Sequence, residues 1–171
     1  MRNLIIIIGC LITFSAQADW QFTKWGMTPE QVIAASGNKY EIDPEPTDPS
    51  VMLKKGDYEA GEYEFDIEFK FRANRQLAVV VLTIKNEGQQ ALCHDLSKDI
   101  KKKYKNGYLR NQDTPPFVSL AWYGSKPDNL AIGYLNAGFG GNQQSCSLVY
   151  KPYADVANTM KKADERKAKA L

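Results

Sequence analysis

The chain has 171 residues with 22 basic and 20 acidic side chains, and this near-balance excludes the strongly basic surface typical of nucleic-acid-binding domains. Hydrophobic residues make up 43% and aromatic residues 11%, which excludes a largely disordered chain. One histidine and three scattered cysteines exclude a zinc finger or a histidine-rich metal site. We therefore expect a single globular domain without a metal or other cofactor.

The first 18 residues have the three parts of a secretory signal peptide. A positive charge at Arg2 is followed by an apolar run over residues 4–14 and by small residues at Ala16 and Ala18. The run is too short to span a bilayer, and no later segment resembles a membrane span. We expect cleavage after Ala18 and a protein that is periplasmic or secreted.

Cys10 offers an alternative to soluble export. Together with the residues before it, Cys10 resembles a lipobox, whose cysteine would carry a lipid anchor. Only nine residues precede Cys10, and the apolar run continues beyond it. The anchored form is therefore the less favoured hypothesis.

The first predicted element after the signal is a helix that begins at Pro29. Thr28 suits the N-cap, Pro29 suits the first helical position, and Gln31 can complete a capping box. Gly37 is expected to end this helix. The three prolines in residues 43–49 then predict a loop.

The clearest pattern in the chain is the alternation over residues 61–72. Every second side chain is apolar and those between are charged, which predicts an antiparallel strand with one solvent-exposed face. A turn at 73–75 leads into an apolar, β-branched strand over 77–84. A shorter strand is predicted at 51–53. The apolar positions of the alternating strand are Tyr63, Phe65, Ile67, Phe69 and Phe71.

The second half of the chain begins with helical spacing over residues 89–105. The residues that recur at every fourth position on one side of this helix are Leu92, Leu96, Ile100 and Tyr104. Three strands and a final amphipathic helix are predicted to follow. The strands are 117–123, 130–136 and 145–150, and the helix begins near Tyr153.

These elements predict an α+β fold with the order α-βββ-α-βββ-α. The physical solution for such a pattern is an antiparallel sheet with the helices packed on one face. Residues 19–160 are expected to form one domain, in which 19–87 and 88–152 are candidate halves. Residues 161–171 are expected to form a basic tail that projects or frays.

Two cysteines remain after signal cleavage, and an exported chain permits them to form one disulfide. Cys93 and Cys146 lie 53 positions apart, and closing such a loop is worth about 4 kcal/mol in the chain-entropy model. Redox-active pairs usually lie close in sequence, so a structural disulfide is favoured.

The candidate binding residues are an aromatic set and a basic set. Phe139, in a glycine-rich loop, is expected to form a binding edge with Trp122 and Tyr134. The basic set is a patch for an anionic surface or an acidic partner, with an ordinary solvated helix face as the alternative. Its members are Lys98, Lys101, Lys102 and Lys105.

His94 is the candidate for acid–base chemistry, because it is the only histidine. No partner that would fix its position is visible in the sequence, and no known nucleophile or nucleotide motif is present. We therefore expect no catalytic residues and no enzymatic activity.

Residues 25–32, Trp-Gly-Met-Thr-Pro-Glu-Gln-Val, resemble the Trp-Gly-Met-Ser/Thr-x-Glu-x-Val helix start of small, mostly uncharacterised exported bacterial proteins. More distantly, they resemble the helix starts of β-lactamase-inhibitor-like domains and of small outer-membrane assembly lipoproteins. The resemblance covers eight residues and implies an α+β envelope protein that works by contact. The chain departs from the lipoprotein pattern at Cys10.

The leading hypothesis is a non-catalytic exported binding or accessory protein, whose partner is a protein or another envelope component. The first alternative is a small-ligand carrier with a pocket between helices and sheet. Phe65, Phe69, Phe71 and Trp122 are expected to fill that space, so an open cavity would favour the carrier. The second alternative is an unrecognised hydrolase that uses His94.

Overall fold

The computed structural model describes residues 20–85, 90–114, 118–138 and 144–169. Within these ranges it contains three helices and seven antiparallel strands, which confirms the α+β fold. The helices are α1 (Pro29–Ala35), α2 (Gln90–Lys103) and α3 (Tyr153–Lys169). The strands are β1 (Gly56–Ala60), β2 (Tyr63–Phe71), β3 (Leu77–Ile84), β4 (Tyr108–Thr114), β5 (Val118–Ser125), β6 (Leu130–Gly138) and β7 (Gln144–Pro152).

All seven strands form one sheet in the order β1-β2-β3-β7-β6-β5-β4. Strands β3 and β7 pair through Val81 and Val149 near the middle of the sheet. The apolar, β-branched sequence of β3 suits a central position, where both faces are covered. This pairing joins the two candidate halves into one continuous sheet.

The structure adds one strand to the prediction and corrects another. Strand β4 was not predicted, and the order becomes α-βββ-α-ββββ-α. Its sequence, Tyr-Leu-Arg-Asn-Gln-Asp-Thr, is mostly polar because β4 lies at the edge of the sheet and pairs only with β5. The predicted strand at 51–53 makes only two isolated bridges, Val51 with Lys70 and Ile42 with Leu53. The edge strand paired with β2 is β1 instead.

The helices do not all lie on one face of the sheet. Cys146 and Leu148 of β7 face the inner side, in one core cluster with Val32 of α1 and Leu96 of α2. Val149, which points the opposite way, packs on the outer side with α3. Helix α3 is therefore an exception to the prediction, because the outer face also carries apolar side chains that need cover. We call the α1 and α2 side the inner face and the α3 side the outer face.

The start of α1 forms as its residues predict. The Thr28 backbone N–H donates to Oε1 of Gln31 at 2.9 Å, and the Gln31 N–H donates back to the Thr28 hydroxyl at 3.4 Å. The segment before this cap is tied to β3, since Gly26 and Met27 exchange backbone hydrogen bonds with Leu77. The cap therefore fixes the chain entry on the inner face.

Helix α3 forms the C-terminal end of the described chain. Helix α3 continues to Lys169 through most of the basic tail, with only the first part of the helix packed on the sheet. None of the helices within the described ranges is long and apolar enough to span a bilayer. The predicted signal peptide and Cys10 lie outside the described residues.

Candidate functional site

The structure does not bring the aromatic binding residues together. Trp122 faces the outer side of the sheet and Tyr134 faces the inner side, and their exposed fractions are 6% and 5%. Tyr134 donates a hydrogen bond of 2.7 Å to the carbonyl of Cys93 and is engaged in holding α2. Phe139 lies outside the described residues. No shared surface of Trp122 and Tyr134 exists for a partner to bind.

The basic residues lie on the solvent side of α2 and in the turn that follows it. Lys98, Lys101, Lys102 and Lys105 are all exposed, and Lys98 pairs with Asp95 at 3.4 Å. His94 is also exposed, and among the described residues it has no hydrogen bond or ion pair. In the described part of the chain, this face of α2 holds no group positioned against His94.

A concave site lies on the inner face, where the core is not completely filled. It has a volume of about 310 Å³ and lies between α2 and the inner face of the sheet, with lining residues from β1, β2, β3, β6 and β7. Its floor is aliphatic, with Leu82 and Leu148 from the two central strands and Leu96 and Ile100 from α2. We call it the tyrosine cleft after its aromatic wall. The wall residues are Trp20, Tyr58, Tyr63, Tyr104 and Tyr150.

The wall of the tyrosine cleft is built around Trp20. Its ring centroid lies 5.2 Å from that of Tyr58 and 5.9 Å from that of Tyr150, with tilted planes. The same indole makes an edge contact with Phe69, which is fully buried behind it. This packing places Trp20 between the core and the cleft, in contact with both.

The polar atoms of the cleft are mainly tyrosine hydroxyls. Nε2 of Gln21 donates to the Tyr58 hydroxyl at 2.9 Å, and the Tyr63 hydroxyl donates to Oδ2 of Asp99 at 3.0 Å. Burial raises the pKa of Tyr150, while a hydrogen bond from Trp20 opposes that rise. Burial and the hydrogen bond with Asp99 raise the pKa of Tyr63. The buried phenols therefore stay protonated.

These buried phenols make a pH dependence of stability testable. Burial raises the pKa of Tyr134 to about 12, and the pKa values of Tyr63 and Tyr150 are raised as well. An unfolded chain releases these protons near pH 10, so between about pH 10 and 12 the unfolded state binds fewer protons than the folded state. We expect these groups to leave stability unchanged below about pH 10 and to lower it progressively above.

Denaturant unfolding at a series of pH values, with phenolate absorbance as a second readout, tests this expectation. Tyr134→Phe should make the alkaline decline shallower, whereas Tyr108→Phe, at a residue that is 53% exposed, should leave it unchanged. A free energy of unfolding that stays constant up to about pH 12 would contradict the assignment.

A second concave site lies on the outer face beside α3, with a volume of about 560 Å³. Ala78 and Val79 of β3 line it, together with Trp122 and Met160. Nζ of Lys151 lies 5.7 Å from the Trp122 ring centroid, so that lysine covers the ring by a cation–π contact. We call this site the outer groove.

Sequence reasoning did not single out the residues of the tyrosine cleft. Tyr63 was assigned to a core-facing strand position, which the structure confirms, whereas Tyr104 was assigned to the helix over 89–105 and lies in the turn after α2. The available signal was the number of tyrosines, nine in 171 residues, since buried tyrosines need partners for their hydroxyls. That number does not show which of them converge.

No protein-family model matches the chain, and no curated protein matches it. Among solved structures, the chain is similar to a DUF4309 family protein, YjgB, from Bacillus subtilis. The two share 13% identity with a TM-score of 0.45, over 73% of this chain and 78% of that one. A likeness at this level carries no statement about function.

Proposed function

We propose that this protein is a non-catalytic exported binding protein that holds a small ligand in the tyrosine cleft. The observation that carries the proposal is an aromatic-walled opening of about 310 Å³ on the inner face, beside the buried core. Of the residues expected to fill that space, Phe65, Phe69 and Phe71 are buried and Phe65 lines the opening, whereas Trp122 lies on the outer face. A ligand bound in this opening gains contacts with its aromatic wall and its aliphatic floor.

The proposal contains no catalytic step. In the described part of the chain, the titratable groups that line the cleft are phenols and Lys103. The raised pKa values of Tyr63 and Tyr150 disfavour the phenolate forms that could act as a base or a nucleophile. Their protonated hydroxyls suit binding through hydrogen bonds.

Export is supported by the predicted signal peptide and by the disulfide. Cys93 and Cys146 are joined, with 5.7 Å between their Cα atoms, and structural disulfides persist in oxidising compartments. The described geometry also fits a small-ligand carrier better than a protein whose partner binds Trp122 and Tyr134 together. Those two side chains face opposite sides of the sheet.

The two concave sites each contain an alanine that permits a matched test. Ala60→Phe would place a ring in the tyrosine cleft, and Ala78→Phe would place one in the outer groove. We expect the protein to bind the uncharged fluorophore N-phenyl-1-naphthylamine, measured by its fluorescence increase. Ala60→Phe should weaken this binding by about tenfold or more, because the added ring occupies the space of the probe.

Ala78→Phe is the control, and its affinity should stay within about twofold of the original protein. Both variants are first compared with the original protein by circular dichroism and thermal unfolding. Binding that survives Ala60→Phe but is lost in Ala78→Phe would move the site to the outer groove and contradict the proposal. Absence of binding to the original protein would also contradict it.

A further inference from the structure

We propose that the ligand of the tyrosine cleft is a planar aromatic acid, with its ring against Trp20 and its carboxylate directed to Lys103. This inference rests on the proposed function, because it names the class of ligand for the same site. It follows from the shape of the wall, the volume, the hydrogen-bonding state of the hydroxyls and the charge of the lining.

The wall favours an aromatic ring. Trp20 meets Tyr58 at an interplanar angle of 58° and Tyr150 at 54°, so neither neighbour is stacked flat on the indole. Tilted rings present both faces and edges, and an inserted ring can make offset or edge contacts with several of them. A saturated chain would fill the same volume without these contacts.

The volume limits the size of the ligand. About 310 Å³ lies at the lower end of the range of about 300–1,000 Å³ that is usual for small-molecule sites. One or two fused rings with a short polar group fit such a space. A long acyl chain or a large cofactor does not.

The hydroxyls of Tyr58 and Tyr150 favour a ligand that carries a hydrogen-bond acceptor. The Tyr58 hydroxyl accepts from Nε2 of Gln21 at 2.9 Å, and the ring of Tyr150 packs with its centroid 5.9 Å from that of Trp20. Both hydroxyls keep their own proton for donation, and neither donates to an acceptor among the described residues. Carbonyl or carboxylate oxygens on a ligand would satisfy these donors.

The charge of the lining selects an anion. Lys103 is the charged member of the cleft lining among the described residues, and no described acidic side chain pairs with it. Its Nζ lies 5.4 Å from the ring centroid of Tyr104, which places the ammonium beside the aromatic wall. The nearby carboxylate of Asp99 accepts from Tyr63 and is not part of the lining.

Lys103 also lies at the carboxyl end of α2, where a cation stabilises the helix whatever the ligand. Lys102 shares that end of the helix and does not line the cleft. Comparing Lys103→Met with Lys102→Met therefore separates a ligand contact from a helix-end effect.

The test uses isothermal titration calorimetry with four probes. Naphthalene-2-carboxylate carries the ring and the charge, naphthalene-2-carboxamide lacks the charge, 2-(aminomethyl)naphthalene reverses it, and decanoate lacks the ring. We expect the carboxylate to bind about tenfold more tightly than each of the others. Lys103→Met should weaken carboxylate binding by about tenfold and leave carboxamide binding unchanged, and Lys102→Met should alter neither.

The outcomes separate this inference from the proposed function. If decanoate or the aminomethyl probe binds best and Ala60→Phe still prevents binding, the cleft is a binding site but its ligand is not an aromatic acid. A preference for the carboxylate that persists in Lys103→Met would overturn the role of Lys103. If Ala60→Phe has no effect on any probe, the proposed function fails with it.

Discussion

Replacing Phe69 by alanine is expected to lower the free energy of unfolding by about 3–5 kcal/mol. Phe69 is 1% exposed and lies at the centre of an aromatic cluster on the inner face. Its ring centroid is 4.9 Å from that of Tyr40, 6.1 Å from that of Trp20 and 6.3 Å from that of Phe22. Removal of the ring leaves a cavity that three aromatic neighbours cannot close without moving.

Denaturant unfolding followed by tryptophan fluorescence measures this loss. Tyr108→Ala is the control, because it removes an aromatic ring that is 53% exposed and should change stability by about 0.5 kcal/mol or less. Because Phe69 supports Trp20 from behind, the variant should also bind N-phenyl-1-naphthylamine more weakly while it remains folded. A loss of stability below about 1 kcal/mol would show that the cluster is not the centre of the core.

Removing the disulfide with Cys93→Ala and Cys146→Ala together is expected to cost about 4 kcal/mol, because the bond closes a loop of 53 residues. Each kcal/mol corresponds to about 2–4 °C for a chain of this size, so the melting temperature should fall by about 8–16 °C. The double variant avoids leaving one buried thiol without its partner. It also tests how firmly α2, one wall of the tyrosine cleft, is held on β7.

The original protein in a reducing agent provides the matched comparison, and it should show nearly the same loss as the double variant. The double variant should also bind N-phenyl-1-naphthylamine more weakly, since in the described part of the chain α2 is then held on the sheet only by packing and by the hydrogen bonds of Tyr134 with Cys93 and of Tyr63 with Asp99. An unchanged melting temperature would contradict the structural role of the bond.

The sequence was most informative about the fold where one face of a helix or strand is exposed to solvent. The alternation in β2 and the four-residue spacing of apolar side chains in α2 each identify the buried side chains directly. Both elements lie where they were predicted. It was least informative at the edge and at the centre of the sheet. Strand β4 has no apolar alternation to reveal it, and β3 is apolar on both faces, so its pattern does not show on which face each helix packs.

The candidate site was harder to predict for a physical reason. Tyr58, Tyr63, Tyr104 and Tyr150 come from three strands and the end of a helix, and each fits its own element without reference to the others. Their convergence depends on the pairing of β3 with β7, which no local pattern specifies. Trp122 and Tyr134 lie close in sequence, but side chains at an even separation on neighbouring antiparallel strands can still face opposite sides of the sheet.

The central claim is that the tyrosine cleft binds a small ligand, and ¹³C NMR of labelled tyrosine rings tests it most directly. Signals are assigned with single Tyr→Phe variants, and N-phenyl-1-naphthylamine is then added to saturation. The account predicts chemical-shift changes concentrated on Tyr58, Tyr104 and Tyr150, with Tyr153 at the start of α3 unaffected. Changes at Tyr153 without changes at the cleft tyrosines would contradict it.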